Sequence, residues 1–358
     1  MKLITTILLL FICNAVFSQS DTDKQKAHST ALKAVKIMDQ GDLETAITML
    51  NESCKLDPEK PDYRFELGYA YYLKKDFGKS IETLKQTLIM KDISDQYYQM
   101  LGNILDESGK RDSALGIYQK GLEKFPNSGR LYLEMGNMQK DSLQKALEYY
   151  EKGIQVDPGF PSNYYRAAKL FCASTERVWG VLYGEIFMNM ERGSDRTEEI
   201  SKLLFDTYSA GIKFESDSTI QISFSKNGSV TIKDDGSAGR LPFGLGVFEP
   251  LIAMSITGEK GISLESLSRI RTNFVKRYFA ENYNQNYQNV LYDWHKALID
   301  NGYFDSYNHW LLMAGASDEF DTWQEANKEK FGEFINWFKS HQLKIDKDHK
   351  FHRSDYSL

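Results

Sequence analysis

The stretch "GDLETAITMLNESCKLDP", residues 41–58, reads as a turn, an amphipathic helix and a proline stop. Moved along the chain, it aligns to itself at a period of about 34 residues. With Ala27 as position one, the small residue at position 20 is Ala46, then Ser80, then Ala114. The turn at positions 15 and 16 is Gly41–Asp42, Lys75–Asp76 and Gly109–Lys110, and position 32 is Pro58, Asp92 and Pro126. Positions 7 and 8 of the second and third copies read Leu67–Gly68 and Leu101–Gly102, with Tyr71 and Leu105 at position 11. A fourth copy starts at Gly129 with Tyr132, Met135 and Gly136, runs short at its turn, and recovers the pattern at Ala146, Tyr150 and Pro158. "PSNYYRAAKLF" (161–171) then reads as the first helix of a partial fifth unit, after which the period is lost.

Each copy holds apolar residues at helical spacing on both sides of the turn. In the second, Tyr63, Leu67, Ala70 and Tyr71 make one face of helix A, and Ile81, Leu84 and Leu88 one face of helix B. Neither face is buried within a single unit, so neighbours must stack. Over residues 27–171 the pattern resembles the tetratricopeptide repeat, whose unit carries W-x2-L-G-x2-Y, then A-x3-F, then P. It departs from that family in having Lys33–Ala34 where Leu–Gly is usual, and no tryptophan in any copy.

The resemblance implies a right-handed α-solenoid whose concave wall comes from helix A, at positions 2, 5, 9, 12 and 13. On this chain it points to a partner-binding groove carrying Phe65, Tyr69, Tyr72, Gln99, Asn103, Arg130, Asn137, Tyr165 and Lys169. Asn103 and Asn137 share position 9, where an amide can donate to and accept from the backbone of an extended peptide. The aromatic residues supply apolar area beside it. The Lys/Asn clamp that some family members use for a terminal carboxylate does not occur, so recognition of a free C-terminus is not implied.

The 358 residues are 41% hydrophobic and 26% charged, with a net charge of -6, which disfavours nucleic acid as a partner. The first residues join a lone Lys2 to an apolar run, Leu3–Phe17, that is too short to span a bilayer and ends in small residues. This predicts a signal peptide, 1–18, cut before Gln19, with Val16 and Ser18 at the small-residue positions, then a short leader, 19–26. Cys13 follows the large Ile12, which argues against a lipoprotein anchor. The expected location is the periplasm or the exterior, with no integral membrane segment after cleavage. Cys54 and Cys172 then remain, and both read as packing thiols on apolar helix faces.

All five tryptophans fall in the second half, 172–342, which reads as a helical domain with one β-hairpin. "VWGVLYGEIFMNMERG" (178–193) predicts an apolar helix on the last repeat, and a second helix follows from Ser194 or Asp195. Ile220, Ile222 and Phe224 alternate, turn at Asn227–Gly228 and resume at Val230 and Ile232, a hairpin near 219–233. "GSAGRLPFGLGVFEP" (236–250) reads as a glycine-rich loop without the order of a phosphate cradle. Helices are expected over 263–281, 286–300, 303–314 and 318–341, then a frayed polar tail, 343–358.

Chemistry converges nowhere in this half. His349 and His352 are three apart but in a polar tail, and His295, His309 and His341 lack a motif around them. Glu185 and Glu249 lie in apolar stretches, where burial could raise a carboxyl pKa, yet two isolated glutamates are not an acid/base pair. Catalytic residues, a metal and a cofactor are therefore not expected. Tyr283, Tyr303 and Trp310 are the aromatic residues that could stack on a glycan. The function expected is an exported adaptor or assembly scaffold of the cell envelope that holds a protein or peptide in its groove. The alternative is a periplasmic hydrolase or glycan-binding protein acting through the C-terminal domain.

Overall fold

The computed structural model describes residues 2–216, 219–226 and 241–356, and of residues 2–20 the backbone alone. The side chains of the expected signal peptide, 1–18, and of residues 19 and 20, the Asn227–Gly228 turn and residues 229–240 lie outside the described residues. The chain forms two compact units, 1–134 and 135–358, divided within helix α7 (Gly129–Asn137).

Unit one consists of helix pairs. These are α1 (Lys2–Asp39) with α2 (Leu43–Leu56), α3 (Pro61–Leu73) with α4 (Phe77–Thr87), and α5 (Asp95–Glu107) with α6 (Arg111–Lys124). Position 15 of each turn adopts a left-handed backbone, with φ of 92° at Gly41, 64° at Lys75 and 79° at Gly109. One residue later, Asp42 and Asp76 cap the next helix by accepting from the amides of Thr45 and Lys79 at 3.1 Å. Lys110, at the equivalent place, makes no such bond.

Position 8 is small because position 24 of the paired helix lands on it. A Cβ added to Gly68 would lie 2.6 Å from Leu84, and one added to Gly102 would lie 2.1 Å from Tyr118. In the first copy the pair is Ala34 and Leu50, both fully buried. Cys54 packs, half-buried and unbridged, against this first core cluster.

Unit two opens with α8 (Leu143–Val156), α9 (Pro161–Cys172), α10 (Arg177–Met190) and α11 (Asp195–Gly211). A Cβ added to Gly136 would lie 2.3 Å from Tyr150, as in the earlier copies. The repeat does not stop at residue 171. α9 and α10 make a complete fifth pair in which positions 8 and 24 are both small, Ala168 facing Gly184. Gly180, at position 20, sits against the backbone of Cys172, and α11 starts one full repeat after α9 as a further helix A. The period fades in the sequence because α10 is buried on every side, from Val178 to Asn189, and therefore shows no amphipathic face.

Next come β1 (Ile212–Ser216) and β2 (Thr219–Ile222), an antiparallel pair with Ile212 opposite Ile222 and Phe214 opposite Ile220. Residues 219–222 thus pair with the strand before them, and the expected partner at Val230 and Ile232 lies outside the described residues. Phe224 leaves the ladder and is fully buried between Tyr208 and Phe248. The expected glycine-rich loop is helical from residue 243, with a π-turn at Gly244–Phe248 leading into α12 (Glu249–Ser255). Gly244 serves close approach, since a Cβ there would collide with the Ser225 hydroxyl.

The remaining helices are α13 (Leu264–Ala280), α14 (Tyr283–Asn286), α15 (Val290–Asp300), α16 (Phe304–Leu312), α17 (Ser317–Ala326) and α18 (Lys328–Ser340). The helix expected over 318–341 breaks at Asn327, which brings Phe331 of α18 to 5.6 Å from Phe320 and 5.7 Å from Trp323 of α17.

The C-terminal segment is not frayed. Phe351 and Tyr356 are buried, packed on Tyr183, Trp179 and Phe243, and the Arg353 guanidinium binds both oxygens of Glu151 at 2.8 and 2.7 Å. Two aromatic residues among polar neighbours suffice to hold the strand of chain, because each buries a large apolar area. Among the described residues, no helix is long and apolar enough to cross a membrane.

Candidate functional site

The predicted groove residues divide between the units, from Phe65 to Arg130 in unit one and from Asn137 to Lys169 in unit two. In unit one, Phe65 is buried against Tyr97, ring centroids 4.8 Å apart, so it packs copies together rather than facing a groove. Tyr69 and Tyr72 stack at 6.0 Å on the A-helix face and stay half-buried. The Tyr72 hydroxyl donates to Glu107 at 2.6 Å, and Lys75 donates to the same carboxylate at 3.2 Å. Gln99 donates to Glu134 at 2.6 Å and accepts from Arg130 at 2.9 Å. These side chains thus bridge successive A helices.

Asn103 is exposed, but its carbonyl end is already engaged by the Tyr118 hydroxyl at 2.5 Å. In unit two, Asn137 accepts from Tyr150 at 3.0 Å in the same arrangement. Position 9 thus ties helix A to position 24 of helix B. The two-way amide pairing expected for Asn103 reduces to its Nδ2 donor. Tyr165 is buried. Its hydroxyl donates to Glu199 of α11, Lys169 donates to the same carboxylate at 2.5 Å, and Arg196 lies 5.1 Å over the ring. The continuation of the array into α11 therefore covers Tyr165.

The second concentration of polar side chains is buried in unit two. Glu185 accepts from Arg271 at 2.5 Å, from His295 at 2.7 Å and from Tyr307 at 2.9 Å. Arg271 also donates to Tyr208 and to Asn308, each at 2.7 Å. Five helices, α10, α11, α13, α15 and α16, are joined through this cluster. Burial alone would raise the Glu185 pKa, as the sequence suggests, but the adjoining Arg271 and His295 overcome it and hold it at about 2. Burial lowers the His295 pKa, so the neutral ring donates from Nε2 to Glu185. The adjoining cavity, about 10 Å³, has room for roughly one water. Arg271, Tyr307 and Asn308 carried no signal in the sequence, since a lone polar residue in an amphipathic helix does not show its partner.

The other candidates disperse. Glu249 accepts from the backbone amides of Phe224 and Ser225 at 2.6 and 2.7 Å, fixing the chain after β2. His349 bonds Asp346, His352 bonds the Glu151 carbonyl, and His341 stacks on Trp337 at 4.3 Å. Trp310 is buried on Phe338, so it cannot stack on a sugar. Tyr303 packs on Trp337, and Tyr283 lies on the separate α14.

Paired helices recurring at a fixed period, with small-to-large contacts at positions 8 and 24, define a helical-repeat protein that presents its A helices as a surface. The family model for the TPR repeat matches residues 37–75, and the chain carries tetratricopeptide repeats in its array. Among curated proteins it is similar to BBSome complex member BBS4 of Bos taurus, 32% identical over 125 residues, 33% of this chain and 23% of the relative. It is also similar to small glutamine-rich tetratricopeptide repeat-containing protein 2 of Mycosarcoma maydis, 29% identical over 86 residues, 24% of each chain. The chain thus spans about a quarter of the length of these relatives. Among solved structures it resembles Pseudomonas aeruginosa PilF, at 16% identity and a TM-score of 0.44, over 53% of this chain and 86% of that one. MamA of Desulfovibrio magneticus RS-1 shows 17% identity and a TM-score of 0.36, over 48% and 97%.

Proposed function

We propose that the protein is an exported adaptor or assembly scaffold of the cell envelope, holding an extended segment of a partner protein on its A-helix face. The observation that carries this reading is the half-buried Tyr69–Tyr72 stack, on the same repeat face as an exposed Asn103 whose Nδ2 remains a donor. Aromatic area beside one directed amide is the usual composition of an interface anchor. The apolar run behind Lys2 supports export and the -6 net charge supports a protein rather than a nucleic-acid partner. The role proposed is binding without catalysis, since the buried Glu185 cluster has room for about one water beside it.

The test is affinity capture from the organism's own envelope fraction, comparing the wild type with a Tyr69→Ala, Tyr72→Ala, Asn103→Ala variant. A protein retained by the wild type and lost from the folded variant supports the reading, and identical capture by both refutes it. Intact mass of the native protein tests export, with an N-terminus at Gln19 expected.

A further inference from the structure

α13, α16 and α17 of unit two line an open cleft of about 600 Å³, within the usual size range of small-ligand sites. His309 lines it, 1% exposed, and its ring stacks on Trp323 with centroids 3.8 Å apart and planes 13° from parallel. Its Nδ1 lies 2.8 Å from the carbonyl oxygen of Asp305. A carbonyl only accepts, so Nδ1 carries the proton. Burial holds the imidazole below its ordinary pKa, and the ring is neutral. Nε2 is then a bare lone pair, and it has no hydrogen-bond partner among the described residues.

Two donors of the wall are engaged within their own chain segment. The Thr322 hydroxyl donates to the Asp318 carbonyl at 2.9 Å, and the Asn327 amide to the Trp323 carbonyl at 2.8 Å. The acceptors of the wall are its carboxylates. Asp318 is exposed and makes no ion pair among the described residues. Glu319 has one oxygen on the Leu264 amide at 2.7 Å and the other oxygen without a hydrogen bond among the described residues. Glu265 shares Arg269 at 2.8 Å, but that guanidinium is itself held twice by Glu259, at 2.8 and 2.9 Å.

A wall of carboxylates and a bare imidazole nitrogen beside an indole fits a ligand that is positive, rich in N–H and partly apolar. We propose that this cleft binds an organic cation, a primary ammonium or guanidinium group, seated beside Trp323 with its N–H groups on Asp318, Glu319 and His309 Nε2. A metal ion fits less well, because no group of three His, Cys, Asp or Glu among the described residues is arranged to hold one. The cation is either a lysine or arginine side chain of a partner or a free amine. The proposal is independent of the groove reading, resting on residues of unit two alone.

Isothermal titration of the full chain tests it with agmatine, cadaverine, acetyl-Gly-Arg-Gly-amide, and 1,5-pentanediol as the neutral isostere of cadaverine. Saturable binding of at least one cation is expected, with none by the diol at equal concentration. Asp318→Asn with Glu265→Gln, both exposed positions, should weaken it about tenfold while leaving the thermal melt in place. Tighter binding of the peptide assigns the site to a partner's side chain, and tighter binding of agmatine or cadaverine to a free amine. Equal binding by the diol, no saturable binding by any cation up to about 10 mM (the millimolar floor of useful affinity), or an unchanged affinity in the double variant overturns the proposal.

Discussion

The Tyr118 hydroxyl donates to Oδ1 of Asn103 at 2.5 Å, and this one bond separates the structural role of position 9 from its recognition role. The carbonyl end of the amide belongs to the fold, and the NH2 end is what a partner would meet. Asn103→Asp keeps an acceptor for Tyr118 and removes the donor. Urea unfolding should therefore shift by less than about 0.5 kcal/mol, as for an exposed site, while partner capture falls. Loss of stability with capture intact would show that the residue serves only the fold.

A second prediction concerns helix entry. Asp42, Asp76 and Ser142 each cap their helix through the side chain, whereas Lys110 at the same position of the third copy makes no cap bond and places a cation at the positive end of α6. Lys110→Asp should raise stability by about 1 kcal/mol. A thermal melt of the single variant measures it, and an unchanged or lower midpoint counts against this account of the turn.

The buried cluster predicts the response to acid. Folded His295 has its pKa held below the ordinary 6.5 by burial, as have His309 and His352. The unfolded chain therefore takes up protons below pH 6.5 that the folded chain refuses, and stability falls as pH drops through that value. Glu185 acts in a lower window. Its pKa of about 2 against an ordinary 4.5 gives stability that is present above 4.5 and lost as pH falls toward 2. His295→Gln, which keeps a donor for Glu185, should flatten the slope below pH 6.5, by at most about 1.4 kcal/mol per pH unit. Urea titrations at stepped pH give that slope, and an identical slope in the variant would exclude His295 as a contributor. Arg271→Met, by contrast, strands Glu185 in the core and should cost about 3–5 kcal/mol.

Most of the repeat fold was legible in the residues themselves. Position 8 and position 24 are a small residue and a large one wherever both helices keep an outer face, so Gly68–Leu84, Gly102–Tyr118 and Gly136–Tyr150 register in the sequence. The fifth pair did not, because Ala168 and Gly184 are both small and α10 is buried all round. Of the site, Tyr69, Tyr72 and Asn103 were legible as helix-A positions, but their bonds to residues on other helices were not. Such pairings depend on side-chain reach across the array, and the Tyr118 hydroxyl has no periodic signature that points to Asn103. Arg271 and Phe351 escaped for the same reason, since a polar or isolated residue shows its partner only after the helices have packed.

The C-terminal segment carries the last prediction. Arg353 donates through its backbone to the Tyr183 hydroxyl at 3.0 Å and through its guanidinium to Glu151, which also accepts from Tyr183 at 3.1 Å. Glu151 is 6% exposed, so removing Arg353 leaves a carboxylate with one remaining side-chain donor in a largely dry setting. Phe351, 1% exposed, fills the space beside Tyr183 and Trp179. Phe351→Ala should cost about 3–5 kcal/mol through the cavity it opens, and Arg353→Met less, because its hydrocarbon stem is retained. Limited proteolysis reads the same contact without a melt. Cleavage after Lys350 or Arg353 should be slow in the wild type and fast in Phe351→Ala, and equal rates in the two proteins would mean that the segment is not held by this packing.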